Sequence, residues 1–184
     1  MHKLMIGVLV CAVPTFGQGQ PIDVRAAAGC GPVHEQFSVK VDKAQHKVTE
    51  PEAGKAMVYV IVEEKPRPGN ALYLGNITTR VGVDGSWAGA NYGESYVSFA
   101  VEPGEHRVCS DWQSSVKSRQ KLSAAAELTA EAGKIYFFRV ELWSGAPIEG
   151  NKEFPEPDVR MKAVEKSEGM LLVSKTGQST WKKK

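Results

Sequence analysis

Residues 81–109 read VGVDGSWAGANYGESYVSFAVEPGEHRVC, and this stretch decides the fold class. Short runs of alternating apolar and polar residues, typical of strands with one buried face, are separated by the turn sequences Asp84-Gly85 and Glu102-Pro103-Gly104. Asp-Gly favours a two-residue hairpin turn because glycine adopts a positive φ without steric cost. Pro-Gly presets the backbone angles of a β-turn. The stretch therefore predicts consecutive antiparallel strands in an all-β protein.

The apolar patterns on either side of this stretch predict more strands. Residues 37–42 alternate apolar and polar side chains, which indicates a strand with one face in solvent. Residues 56–62 read AMVYVIV without a polar interruption, which is typical of a strand buried on both faces. Residues 121–132 contain enough alanine for a helix, but they alternate with period two and run into the aromatic strand 135–143. We therefore favour a strand for them.

Together these segments predict an antiparallel β-sandwich, or a partly open barrel, of about eight or nine short strands. Strands with turn signals between them and no alternating helices are typical of such folds. The domain is expected over residues 36–175 and is expected to end in a hairpin formed by residues 159–164 and 169–174. Residues 176–184, which end in three lysines, are expected to form a solvated basic tail.

The N-terminus has the features of an export signal. A histidine and a lysine precede an apolar run over residues 4–13, and small and polar residues follow it, so residues 1–17 are interpreted as a signal peptide cleaved near Gly17. The apolar run is too short to span a bilayer as a helix. We therefore expect a periplasmic or extracellular protein without a transmembrane span, in which residues 18–35 form a flexible segment before the sandwich.

The three cysteines favour a disulfide over a lipid anchor. Cys11 lies inside the apolar run and lacks the small residue that precedes a lipidated cysteine, and polar residues 18–25 separate Cys30 from that run. A lipid anchor is therefore not expected. Removal of the signal leaves Cys30 and Cys109, and an even pair in an exported protein favours a disulfide between them. Two buried free thiols are the alternative.

The charge balance argues against nucleic-acid binding. The chain has 23 Lys plus Arg and 21 Asp plus Glu, and loss of Lys3 with the signal leaves 22 basic residues. Three of these lie at residues 182–184, so the folded body is close to neutral. Proteins that bind nucleic acids need clustered basic side chains to release counterions from the phosphate backbone. No nucleic-acid partner is expected.

Four stretches resemble a known family: KAMVYV at residues 55–60, VDGSWAG at 83–89, PGEHRVC at 103–109 and AGKIYFF at 132–138. In this order they are similar to the bacterial domain-of-unknown-function family 2846, whose members are exported and often described as lipoproteins. The resemblance covers about residues 55–175. It implies a small β-sandwich of uncharacterised role and supplies no catalytic residue. The missing lipidation signature sets this chain apart from the lipoprotein description.

The sequence offers no strong catalytic or metal-binding pattern. His34, His46 and His106 are not spaced as a set of ligands, so neither a metal nor another cofactor is expected. Four carboxylates could pair as in a glycosidase, but acidic residues are common beside turns, and solvated turn charges are the favoured interpretation. These carboxylates belong to Asp84, Glu94, Glu105 and Asp111. We therefore expect that the protein is not an enzyme, and a hydrolase is the distant alternative.

Three aromatic residues at predicted hairpin ends have the best potential for contact with a ligand. Trp87, Tyr92 and Trp112 could present rings that stack on a sugar or pack against an apolar group of a partner. The alternative is that these rings close the ends of the sandwich. The sequence thus predicts a non-catalytic envelope or extracellular binding module whose partner is an envelope protein or a glycan. A structural or assembly subunit that pairs through strand edges is the second hypothesis.

Overall fold

The computed structural model describes residues 29–44, 46–64, 77–113, 122–143 and 158–184, and ten strands and one helix lie in this part of the chain. The expected signal peptide, residues 1–17, lies outside the described residues. In chain order the elements are β1 (Phe37–Asp42), β2 (Ala56–Glu64), β3 (Thr78–Val83), β4 (Ser86–Tyr92), β5 (Ser95–Val101), β6 (Gly104–Trp112), β7 (Ser123–Ala130), β8 (Ile135–Trp143), β9 (Asp158–Val164), α1 (Lys166–Lys175) and β10 (Gly177–Lys183).

The strands form two sheets that pack face to face, so the expected all-β sandwich is confirmed. Six strands follow the order β1-β10-β5-β2-β8-β9, and four follow the order β4-β3-β6-β7. The Asp84-Gly85 hairpin is present between β3 and β4, with φ of 50° at Asp84 and 82° at Gly85. Both central residues have the positive φ that a type I′ turn requires. The ambiguous segment 121–132 contains strand β7, as the period-two pattern indicated.

The continuously apolar strand β2 lies inside the six-stranded sheet because it has neighbours on both edges and covered faces on both sides. Val58, Val60 and Val62 face the four-stranded sheet in the core between the layers. Tyr59 and Ile61 face the other way and belong to a second apolar cluster. β2 pairs antiparallel with β5 but parallel with β8, and β10 pairs parallel with β5. The larger sheet is therefore mixed, which the hairpin signals did not predict.

The second apolar cluster is covered by helix α1, and the hairpin expected over residues 159–164 and 169–174 is wrong. β9 forms as expected, but residues 166–175 are helical and bury Gly169, Leu172 and Val173 against the sheet. The ring of Phe137 fills the space beside Gly169, where an added Cβ would lie 2.1 Å from the ring carbon Cγ. A helix places these three residues on one side, whereas a strand would divide them between two faces.

The expected basic tail is also a strand, so the domain continues to residue 183 rather than ending at 175. β10 pairs with the whole of β1, from Phe37 opposite Lys183 to Asp42 opposite Gln178. The ring of Trp181 meets that of Phe37 edge-on, with 5.3 Å between the ring centroids. The terminal lysines are exposed, so their charge does not oppose the backbone pairing that places this segment in the sheet.

Residues 29–36 form a non-helical strap that crosses the outer face of the four-stranded sheet before β1 begins. We call this segment the strap. Residues 18–35 were expected to form a flexible segment. Gly29, Cys30 and Gly31 are buried, so the described part of this segment, residues 29–35, belongs to the folded domain. Residues 18–28 lie outside the described residues.

Candidate functional site: the strap groove

A disulfide attaches the strap to the middle of strand β6, which confirms the predicted pairing. Cys30 and Cys109 are bonded, with their Cα atoms 5.2 Å apart and a sequence separation of 79. Both residues are buried, Cys109 completely. The N-terminal end of the strap is therefore covalently bonded to β6, a strand that lies between β3 and β7.

A buried ion pair beneath the strap adds a second attachment. Arg80 of β3 and Asp111 of β6 are 2% and 0% exposed, and they lie side by side because their strands pair with these two residues in register. The guanidinium Nε and Nη2 donate to the two carboxylate oxygens of Asp111 at 2.7 and 2.6 Å. Its Nη1 donates to the carbonyl of Val33 at 2.8 Å and to that of Glu35. The Nη1 donor, which the ion pair with Asp111 does not use, thus binds the strap backbone.

Trp87 completes this attachment rather than offering an open ring face. Its indole Nε1 donates to the carbonyl of Pro32 at 3.0 Å. The guanidinium carbon of Arg80 lies 4.5 Å from the centre of the Trp87 ring, which is cation–π geometry. On Gly31, an added Cβ would come within 2.7 Å of the indole, so the strap backbone lies directly on the ring.

Beside the strap lies an open groove of about 760 Å³, which we call the strap groove. The strap forms one wall, and the β3–β4 turn with strands β6 and β7 forms the rest. Its lining residues are Gly29, Cys30, Gly31, Pro32, Val33, Asp84, Gly85, Glu105, His106, Arg107, Glu127, Leu128 and Thr129. Arg107 and Glu127 pair across β6 and β7 at 2.8 Å, and both are largely exposed. The groove therefore combines charged groups of both signs with a short apolar strip.

A hydrogen-bonded chain through His106 lies in the wall of the strap groove. Its Nδ1 lies 2.7 Å from Oδ2 of Asp84, and its Nε2 lies 2.7 Å from the carbonyl oxygen of Glu102. Asp84 also accepts the backbone N–H of Arg107 at 2.9 Å. The neighbouring Gly85 N–H donates to the strap carbonyl of Gly29 at 2.9 Å. The β3–β4 turn is thus bound to both β6 and the strap.

These contacts shift the pKa values of both partners. The hydrogen bond to Asp84 raises the pKa of His106 above its ordinary value, against the opposing effect of partial burial, and the Glu102 carbonyl and the charge of Asp84 act in the same direction as that bond. Partial burial acts to raise the pKa of Asp84, but the hydrogen bonds from His106 and Arg107 and the charge of His106 hold it below its ordinary value. The pair is stabilised as imidazolium and carboxylate.

The structure does not bring the three predicted ligand-contact aromatics together. Trp112 is 5% exposed and packs in the core between the sheets, so the expectation that it presents a ring to a ligand is wrong. Trp87 is engaged with the strap. Tyr92 is 39% exposed at the end of β4. None of the three lines the strap groove.

Trp181 is an exposed aromatic that the sequence analysis missed. It is 39% exposed and lies at the end of a row of rings, edge-on to Phe37, which in turn lies edge-on to Trp87 at 6.3 Å. The signal was present as period-two alternation in residues 177–181, where Ser179 and Trp181 share one face. The three lysines that follow favour a solvated tail over a strand when the sequence is considered alone.

The four candidate carboxylates lie in different places and have different partners. Asp111 is bound by Arg80 under the strap, and Asp84 is bound by His106. Glu105 is exposed and lines the strap groove. Glu94 lies in the turn between β4 and β5, outside that groove. Only Asp84 and Glu105 therefore reach the same cavity.

Within the described part of the chain, no group of three or more His, Cys, Asp or Glu side chains is arranged to hold a metal ion. No helix among these residues is both long and apolar enough to cross a membrane. Comparison of the chain with protein-family models, with curated proteins and with solved structures gives no match. The resemblance to family 2846 stays a prediction.

Proposed function

We propose that the protein is a non-catalytic binding module, exported to the periplasm or the cell exterior, and that its ligand occupies the strap groove. The ligand class is a glycan or a segment of an envelope protein. The observation that carries this proposal is the construction of the groove: an open cavity of about 760 Å³ whose wall is fixed by the Cys30–Cys109 disulfide and the buried Arg80–Asp111 pair.

A fixed wall favours binding because little conformational entropy is lost when the ligand is held. The groove offers charged donors and acceptors on Arg107, Glu105 and Glu127, the hydroxyl of Thr129 and the exposed apolar side chain of Val33. Such a combination suits a ligand with several hydroxyl or amide groups on an apolar frame. Sugars and extended peptides both have this character.

Two observations support export and the absence of catalysis. A disulfide buried under the strap fits an oxidising compartment, which agrees with the export signal expected at residues 1–17. Of the three carboxylates that line the groove, Asp84 is held as an anion by His106 and by a backbone N–H, and Glu127 is paired with Arg107 at 2.8 Å. Asp84 accepts hydrogen bonds instead of serving as a proton donor, and Glu127 is engaged in an ion pair, so neither supplies Glu105 with the unpaired acid partner that a glycosidase requires.

The test uses one carboxylate inside the groove and one outside it. The purified protein is screened on a glycan array and against extended peptides from envelope proteins, and the affinity of each hit is measured for two variants. Glu105→Ala should weaken a groove ligand by about tenfold, which corresponds to about 1.4 kcal/mol. Glu94→Ala, an exposed carboxylate in the β4–β5 turn, should leave the affinity unchanged. Equal effects of the two variants would show that the ligand binds elsewhere.

The second hypothesis, an assembly subunit, has one observation in its favour. Strand β9 is at the end of the six-stranded sheet and hydrogen-bonds there to β8. An edge of this kind can accept a strand from another chain. Replacement of Lys162, in the middle of β9, by proline should abolish such pairing, whereas ligand binding in the strap groove should persist.

A further inference from the structure

His106 is bonded to an acceptor on each side of its ring. A backbone carbonyl can only accept a hydrogen bond, so the Nε2 atom that lies 2.7 Å from Glu102 O must carry a proton. The Asp84 carboxylate also accepts, so Nδ1, 2.7 Å from Oδ2, must carry a proton as well. Both contacts form together only when the ring is a doubly protonated imidazolium.

Loss of one proton must therefore open one of the two contacts. If Nδ1 loses its proton, a nitrogen lone pair faces the carboxylate of Asp84. If Nε2 loses it, the lone pair faces the carbonyl of Glu102. Neither neutral tautomer satisfies both neighbours, and the side chain is only 15% exposed, so water has limited access to replace the missing bond.

We propose that His106 is a proton-operated clamp on the strap groove: its imidazolium binds the β3–β4 turn to the β5–β6 turn, and deprotonation releases the wall that the turn shares with the strap. The link to the strap is direct, because Gly85 donates to the carbonyl of Gly29 and Asp84 N–H donates to the carbonyl of Arg107 at 3.1 Å. The clamp thus controls a wall of the groove without itself being part of the strap.

Each turn and strand next to His106 contributes charged or polar groups near the imidazole. Asp84 faces it from the β3–β4 turn. On the β5–β6 side, Glu102 supplies its carbonyl, and its carboxylate lies 3.9 Å from the ammonium of Lys55. Glu105 and Arg107 are its neighbours on β6. On β7 the residue opposite His106 is Leu128, and Glu127 is paired with Arg107. Asp84 is the only one of these groups whose side chain bonds to the imidazole among the described residues.

The direction of the pH effect follows from linkage. Because the folded state raises the pKa of His106, the clamp contributes its full stabilisation below the ordinary value of about 6.5, and this contribution is lost as the pH rises through the folded value. The wall of the strap groove is therefore held in mildly acidic conditions and loosens in alkaline ones. A ligand that needs the fixed wall binds more weakly at the higher pH. This last consequence rests on the proposed function, whereas the clamp itself does not.

The experiment uses NMR on the full-length folded protein without ligand. It measures the protonation of the His106 ring and the stability of the groove wall separately. The ring nitrogens of His106 report its titration midpoint, and the amide protection factor of Gly85 reports the turn-to-strap bond. We expect a midpoint above 6.5 that falls in Asp84→Asn, because this variant lacks the carboxylate that favours the imidazolium. By reciprocity, the Gly85 protection factor in the unmodified protein should fall by about tenfold across the midpoint.

Two variants separate the clamp from a general effect of pH. His106→Gln should remove the step in Gly85 protection. His46→Gln is the matched control, because it removes a histidine that lies 3.4 Å from another carboxylate, Asp42, in the segment after β1, and the step should persist in this variant. If His106→Gln does not fold, the comparison of the unmodified protein with Asp84→Asn still decides the question. A midpoint at or below 6.5, or Gly85 protection that does not change across the midpoint, would overturn the proposal. A failure to find any ligand would count against the proposed function alone.

Discussion

Replacement of Asp111 by asparagine should destabilise the protein severely, because it leaves the guanidinium of Arg80 buried without its counterion. Arg80 is 2% exposed, and two of its nitrogens donate to Asp111 at 2.7 and 2.6 Å. Removing one partner of a buried ion pair costs about 3 to 5 kcal/mol, since the other charge stays desolvated. We expect this loss in the free energy of unfolding, measured by urea denaturation of the oxidised protein with tryptophan fluorescence.

The matched control is Glu127→Gln, which breaks a second arginine–carboxylate pair on the same sheet face. Arg107 and Glu127 are 44% and 82% exposed, so water solvates both charges after the change. Exposed pairs contribute about 0 to 1 kcal/mol, and the variant should stay within that range. Burial, rather than the type of residue, accounts for the difference that we expect between the two variants.

A double variant tests whether the cost comes from the unpaired charge. Arg80→Met and Asp111→Leu should each destabilise the protein, but the two substitutions combined should cost clearly less than the sum of the single variants, because no buried charge remains. The strap still loses the donor to Val33 O and Glu35 O, so some destabilisation should persist. A loss below about 1 kcal/mol in Asp111→Asn, or additive effects in the cycle, would refute the reasoning.

Three further predictions concern the strap, the helix and the last strand. Mass spectrometry of the protein purified under non-reducing conditions should find the Cys30–Cys109 bond, and Cys30→Ser with Cys109→Ser should lower the free energy of unfolding by about 2 to 5 kcal/mol. Gly169→Ala should destabilise the protein by about 1 to 3 kcal/mol despite the better helix propensity of alanine, because the new methyl group collides with the ring of Phe137; thermal unfolding measures the loss. Removal of residues 176–184 should cost at least about 3 kcal/mol in denaturant titrations, since β1 loses its partner strand and Phe37 loses Trp181.

Each of these predictions has its own control. Two free thiols in material purified from the periplasm would remove the disulfide argument and the support it gives to export. Ser167→Ala lies on the exposed side of α1 and should change the melting temperature little, so an equal loss in both helix variants would contradict the packing explanation. Lys182→Gln removes an exposed charge from β10 and keeps the strand; if it destabilises the protein as much as the truncation does, charge rather than pairing is responsible.

The sequence was informative wherever local chemistry determines structure. Asp84-Gly85 specifies a hairpin because its backbone angles favour these two residues, and the turn is found between β3 and β4. The uninterrupted apolar run of residues 56–62 indicated a strand covered on both faces, which is the position of β2. The two cysteines left after the expected signal indicated a pair, and the bond between Cys30 and Cys109 is present.

The same local rules failed for residues 166–184. Helix α1 forms because the outer face of the six-stranded sheet presents Tyr59, Ile61 and Phe137, which an amphipathic segment must cover. β10 forms because β1 and β5 leave a gap between them in the sheet that a strand can fill. Neither requirement is visible in the local sequence, since both depend on segments that lie far away in the chain.

By itself, the sequence determined the all-β class, the main hairpin and the cysteine pair, because periodicity, turn angles and cysteine count act over short distances or need no geometry. Only the tertiary structure decided which polar residues form the candidate site. Arg80 and Asp111 are separated by 31 positions and were not recognised as a pair, yet the register of β3 against β6 places them side by side beneath the strap. The same assembly buried Trp112 and joined His106 to Asp84, because strand register and layer packing, rather than residue type, determine which side chains meet.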